Sequence, residues 1–176
     1  MAFGTGNHET TRLCIEALIQ YLKARRDTDA TLTDLTCCDA GCGSGILAIS
    51  ARKMGIASVL GFDHDPDAVR ISHANPDWNQ YVGELDFIEG DLDTGFQDRS
   101  YDLVFANILG VVLIKNPNPL LSAVNSGGRL ILSGILTTEV NEVVDTFRNQ
   151  LERMGNNGSF STHELGEWSD VVIDLD

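Results

Sequence analysis

From residue 35 onward the sequence keeps changing period. Short apolar runs at 35–39, 58–63, 85–89, 101–107 and 129–133, bounded by Gly, Pro, Asn or Asp, read as strands. Helical stretches lie between them at 46–54, from Asp65-Pro66 to about Asn75, and in an irregular segment broken at Asn116-Pro117-Asn118-Pro119. Strands that alternate with helices imply a mostly parallel sheet covered on both faces, because each crossover lays a helix on the sheet. A further amphipathic helix is expected at 137–154, on Val140, Val143, Val144, Phe147 and Leu151. Two last strands, at 159–165 and 168–175, are close enough in sequence to pair as an antiparallel hairpin. Ahead of all this, Leu13, Ala17, Tyr21 and Ala24 share one face of a helix over 7–26, widened by Leu18 and Leu22, and 27–33 is a polar loop. With 176 residues, no linker and no repeat, the chain reads as one domain over 1–176.

Such sheets take ligands at the carboxyl ends of their strands, where the strand order reverses. After the first strand stands Asp39-Ala40-Gly41-Cys42-Gly43-Ser44-Gly45, whose three alternating glycines allow a sharp turn against a ligand and feed a helix amino end. A nicotinamide fingerprint needs its third glycine at position 46, where Ile46 stands. The second strand ends at Asp63, 22 residues beyond Gly41, where a carboxylate accepts both hydroxyls of a ribose. Asp65 and Asp67 fall in a helix start and read as caps. Asp91 follows the third strand, placed to read an adenine amino group or to stand as a solvated loop aspartate. Asn107 ends the fourth strand, where its carbonyl would orient an amine or close the strand as a turn residue. Gly166-Glu167-Trp168 is a hairpin turn with an aromatic anchor, or a wall facing a substrate. At the start, Gly4, Thr5 and Gly6 run into Asn7-His8-Glu9-Thr10-Thr11, a ligand-type loop opening a helix, with His8 a base or a cap.

Charge narrows the partners. The 26 acidic against 12 basic residues give a formal charge of −14, which argues against DNA or RNA and suits a basic protein. No apolar run approaches the roughly 20 residues of a membrane span, and no signal peptide is recognisable. Cys14, Cys37, Cys38 and Cys42 have neither zinc-site spacing nor histidine partners and read as small core hydrophobes in a reducing cytoplasm, with no metal site.

Three segments, AFGTGNHETT, DAGCGSGILAISARKMG and ANIL, with LILSGIL and GEW downstream, resemble the bacterial lysine methyltransferases of the large-subunit ribosomal protein numbered eleven. These are class I S-adenosylmethionine-dependent enzymes. The resemblance covers essentially the whole chain, and its opening segment and Asn-Ile-Leu are more specific than the glycine loop. It implies a seven-stranded, mostly parallel Rossmann-like methyltransferase sheet with helices on both faces and a C-terminal antiparallel hairpin. It further implies that Phe3, Gly4, Thr5 and Thr11 line the S-adenosylmethionine pocket, with Gly41 and Gly43 on its methionine side, Asp63 on the ribose and Asn107 near the sulfonium. The implied reaction is methyl transfer to lysine or amino-terminal amines of a basic ribosomal protein. The alternatives are a different acceptor, or a cofactor-binding remnant without turnover. In that family a substrate-recognising domain precedes the Phe-Gly-Thr-Gly segment, so the chain is expected to be a catalytic domain without it. A second departure is Asn75-Pro76-Asp77-Trp78, on the cofactor's adenine side.

Overall fold

The structure, a computed structural model, describes residues 9–27, 32–75 and 84–176. Helix α1 (Glu9–Asp27) leads through a short 3-10 turn into β1 (Thr36–Ala40), α2 (Ile46–Lys53), β2 (Ser58–Asp63), α3 (Pro66–Ala74) and β3 (Glu84–Glu89). Then follow β4 (Tyr101–Asn107), α4 (Gly110–Lys115), α5 (Pro117–Ser122), β5 (Val124–Leu136), α6 (Val140–Arg153), β6 (Gly158–Leu165) and β7 (Trp168–Leu175). The strands form one seven-stranded sheet in the order β3-β2-β1-β4-β5-β7-β6. Strands β1 to β5 are parallel, and β7 runs antiparallel to both β5 and β6. The expected mostly parallel sheet with a C-terminal hairpin is therefore present.

The central strands are apolar at successive positions because both of their faces are covered. Cys38, Ala40, Val104, Ala106, Leu130 and Leu132 point to one side and pack with Leu113, Leu121, Val143, Phe147 and Leu151 of α4 to α6. Their neighbours Cys37, Leu103, Phe105 and Ile131 point to the other, with Cys14, Leu18 and Tyr21 of α1 and Leu47 and Ala51 of α2. All four cysteines are free and buried, and burial pushes their thiols up, as expected of core hydrophobes. The hairpin explains its own order. Val171, Val172 and Ile173 are buried on both sides, so β7 lies inside the sheet, while polar β6 forms its edge.

Strand β5 differs from expectation. It runs over 13 residues rather than 129–133, because Asn125-Ser126-Gly127-Gly128 continues the strand through a register shift instead of ending it. Asn125 is fixed there by its side-chain amide, which donates to Asp102 Oδ1 at 3.0 Å. The other oxygen, Asp102 Oδ2, accepts from Thr36 N at 2.9 Å and Thr36 Oγ1 at 2.8 Å. This network joins β1, β4 and β5 at the end of the sheet opposite the site. Arg129 pairs with Asp174 through Nε at 2.6 Å and Nη2 at 2.9 Å, locking β5 to β7.

Candidate functional site

Strand order reverses between β1, which continues to β2, and β4, which pairs on the opposite side of β1. Above the carboxyl ends of these strands lies a cavity of about 880 Å³. It forms where an open α/β sheet is expected to take a ligand.

The glycine loop is the floor. Gly41, Gly43 and Gly45 have φ of +73°, +54° and +78°, in the left-handed region where a side chain is strained. The amides of Gly41 and Cys42 both donate to Phe62 O, at 2.9 Å and 2.9 Å, tying the loop to β2. Buried Phe87 closes the loop from below, and a Cβ on Gly45 would come within 2.7 Å of its ring. Helix α2 has Gly45 at its N-cap and so lacks a capping side chain of its own. The missing acceptor comes from Asp39 in β1, whose carboxylate accepts from Ala48 N at 3.0 Å. Asp39 is 1 % exposed. Burial pushes its carboxyl up to about 7, against the Ala48 amide and with added repulsion from Asp63.

Asp63 ends β2 on the cavity wall and is 8 % exposed. Its Oδ2 accepts from Gly43 N at 2.9 Å and its Oδ1 from Asp65 N at 3.0 Å. Each oxygen of a carboxylate has two acceptor sites, so the side chain has capacity left for a ligand. Asp65 caps α3 by accepting from Asp67 N at 2.9 Å, ahead of Pro66, as its sequence position implies. Asp91 lies beyond β3 on the same wall, exposed. Its Oδ1 accepts from Thr94 Oγ1 at 2.8 Å, Thr94 N at 2.9 Å and Asp93 N at 3.0 Å, and these bonds hold the carboxyl below its usual range. Counting Asp93, six aspartates line the cavity, and no lysine or arginine does so among the described residues.

The opposite wall is built from Ile108, Leu109, Val112, Gly134 and Trp168. Ile108 sits between two glycines. A Cβ on Gly41 would lie 2.5 Å from Ile108 Cγ2, and one on Gly134 (φ +80°) would overlap the Ile108 carbonyl oxygen. Close approach of three strand ends thus depends on glycine at both places. Asn107, half-buried at the end of β4, lines the cavity, and its side-chain amide has no hydrogen-bond partner among the described residues. Asn116, at the break between α4 and α5, also reaches the cavity and donates from Nδ2 to Val112 O at 2.8 Å. Thr11, from the first turn of α1, is 1 % exposed and lines the cavity. Its buried Oγ1 has no hydrogen-bond partner among the described residues. A buried hydroxyl without a partner carries an energetic cost that a ligand acceptor or donor would relieve.

The structure therefore brings Thr11, Gly41, Gly43, Asp63, Asp91 and Asn107 to one cavity. Phe3, Gly4, Thr5 and His8 lie outside the described residues, as do Pro76, Asp77 and Trp78. Trp168 follows the Gly166-Glu167 turn, with Gly166 at φ +64°, and lines the cavity. Sequence reasoning assigned no role to Asp39, Ile108, Asn116 or Gly134. Asp39 and Gly134 stand at strand ends, and that position was the available signal. Asn116 looked only like a helix breaker. Among the described residues no group of His, Cys, Asp and Glu could hold a metal ion, and no helix is long and apolar enough to cross a membrane.

Comparison with known proteins agrees with this geometry. A family model described as ribosomal protein L11 methyltransferase (PrmA) matches residues 1–173. The ribosomal protein L11 methyltransferase of Cupriavidus pinatubonensis is 45 % identical over 147 residues, covering 84 % of this chain and 45 % of that protein. That of Clostridium botulinum (strain Eklund 17B / Type B) is 38 % identical over 178 aligned positions, covering 99 % and 51 %. The chain spans about half the length of these curated relatives. Among solved structures, a ribosomal protein L11 methylase from Lactobacillus delbrueckii subsp. bulgaricus superposes with a TM-score of 0.76 at 28 % identity, covering 97 % of this chain and 80 % of that one. Magnesium protoporphyrin IX methyltransferase from Synechocystis PCC 6803 with bound SAM gives 0.68 at 20 % identity, covering 99 % and 86 %, and shares the fold.

Proposed function

For a chain that belongs to the ribosomal protein L11 methyltransferase (PrmA) family, we propose methyl transfer from S-adenosylmethionine to amino groups, lysine side chains or an amino terminus, of a ribosomal protein. The observation that carries this reading is the family match over residues 1–173, joined to a cavity whose chemistry suits that cofactor. S-adenosylmethionine has a ribose, an ammonium, a carboxylate and a sulfonium, so it is a net cation, and it has no pyrophosphate. Six aspartates without a lysine or arginine among the described lining residues favour such a ligand and oppose a dinucleotide. When bound, the cofactor supplies a methyl carbon activated by its sulfonium.

In this reading the chain binds and aligns. Asp63 accepts the ribose hydroxyls with the capacity its backbone partners leave unused, and Asp91 faces the adenine side. The Gly41–Gly45 loop takes the methionine end, and Thr11 Oγ1 gains a partner. Phe3, Gly4 and Thr5 are assigned to the same pocket by the family's opening motif. Asn107 accepts an N–H of the incoming amine through its side-chain carbonyl, leaving the nitrogen lone pair directed at the methyl group. A lysine amine has an unperturbed pKa of about 10.4 and must lose a proton before it attacks. The apolar wall favours the neutral form by desolvation.

The test is transfer of a labelled methyl group from S-adenosylmethionine to purified ribosomal protein L11. Label on lysine or the amino terminus is expected. A chain that binds the cofactor yet labels L11 nowhere, under conditions where a full-length family member does, contradicts the proposed acceptor.

A further inference from the structure

Large apolar side chains are exposed on the apolar side of the cavity mouth. Leu109 is 62 % exposed, Val111 51 % and Leu136 38 %. Leu109 lines the cavity and precedes α4, and Val111 lies in the first turn of that helix. Glu139 links them to Leu136. Its Oε2 accepts from Leu136 N at 3.2 Å and lies 2.9 Å from the position a Cβ would take on Gly110. Leu136 in turn pairs with Trp168 across β5 and β7, and Trp168 returns to the cavity. Glu139 thus lies between the segment of Leu109 and Val111 and that of Leu136, and the three exposed apolar residues and this carboxylate form a lip beside the cavity edge that holds Asn107.

We infer that this lip docks the segment of a basic protein that presents the acceptor amine, with Leu109, Val111 and Leu136 against its apolar atoms and Glu139 against a neighbouring cation. The inference rests on the proposed methyl transfer to a ribosomal protein. Charge complementarity identifies the occupant. Proteins that bind RNA are basic, whereas this chain carries a formal charge of −14 and the cavity wall facing the lip is lined by aspartates. A lysine offers the matching form: a four-carbon stem that packs on apolar surface and a charged head. A second copy of this chain, with the same negative charge, is disfavoured. One cation stands close by: exposed Lys115, one helical turn along α4 from Val111. It gives the inference a test of opposite sign.

The experiment measures binding of ribosomal protein L11 to the chain saturated with S-adenosylhomocysteine, for wild type, Val111→Lys, Glu139→Lys and Lys115→Glu. S-adenosylmethionine affinity serves as the folding control, since none of Val111, Lys115 and Glu139 lines the cavity. The expected result is L11 affinity at least threefold weaker in Val111→Lys and tenfold weaker in Glu139→Lys, but stronger in Lys115→Glu, at unchanged cofactor affinity. If the three variants bind L11 as wild type does while wild type methylates it, the lip is overturned and the proposed function stands. If wild type binds the cofactor but neither binds nor methylates L11, the docking is overturned together with the proposed acceptor.

Discussion

The two walls of the cavity are held in place by different physics. On the β2 and β3 side, carboxylates are fixed by backbone amides: Asp63 by Gly43 and Asp65, Asp65 by Asp67, and Asp91 by Asp93 and Thr94. On the β4 and β5 side, position is fixed by exclusion, with Ile108 confined between Gly41 and Gly134. Hydrogen-bonded carboxylates present fixed charge and remaining acceptor capacity, which suits holding a polar ligand. A close-packed apolar wall offers desolvation and a defined path, which suits the proposed acceptor, an amine that must become neutral. In the proposed reaction, the first wall binds the cofactor and the second receives the acceptor.

The largest effect is expected where exclusion is strictest. Gly134→Ala places a Cβ against the Ile108 carbonyl at a φ of +80°, so backbone rather than a flexible side chain must move. A loss of about 3 kcal/mol in stability is expected by urea denaturation. A loss below 1 kcal/mol would mean that the wall yields easily. Next comes Asn107→Ala, which removes the only side-chain amide at the end of β4. Turnover should fall about a hundredfold, equivalent to about 2.7 kcal/mol, while cofactor affinity stays within about twofold. Loss of cofactor affinity instead would make Asn107 part of the binding wall.

Asp39 supports the floor beneath both walls, and its titration offers a smaller test. Its folded-state carboxyl lies near 7, raised by burial, whereas an unfolded aspartate titrates near 3.9. Between about pH 4 and 7 the folded chain therefore holds a proton that the unfolded chain has released, so stability falls as pH rises through that window and the penalty is complete above it. Asp39→Asn keeps an acceptor for Ala48 N and removes the charge. Relative to wild type it should be more stable at pH 8 than at pH 5, by a difference on the order of 2 kcal/mol in paired urea titrations. An equal difference at both pH values would contradict a protonated Asp39.

The polar wall was legible in the sequence and the apolar wall largely was not. Asp63 closes one apolar run and Asp91 follows Gly90 just beyond another, and an aspartate at a strand end announces itself by position alone. The cap at Asp65 was readable from Asp-Pro for the same reason: its partner is two residues away. The pairing of Ile108 with Gly134, 26 positions apart, is set by the register of β4 on β5. No local pattern encodes it. Strand β5 shows the same limit, since Asn125-Ser126-Gly127-Gly128 has turn composition and becomes strand only because Asp102 and the sheet engage it. The order β5-β7-β6 was recoverable in part, because Val171-Val172-Ile173 requires cover on both faces and the polar β6 does not.

The division between walls is tested most directly by calorimetric titration with S-adenosylmethionine of wild type, Asp63→Ala and Asn107→Ala, with the nicotinamide dinucleotide as control ligand. Saturable binding of S-adenosylmethionine alone is expected, weakened about tenfold, or about 1.4 kcal/mol, by Asp63→Ala and left within about twofold by Asn107→Ala. Equal affinity in wild type and Asp63→Ala, or binding of the dinucleotide in place of S-adenosylmethionine, would contradict a cofactor-binding role for the carboxylate wall.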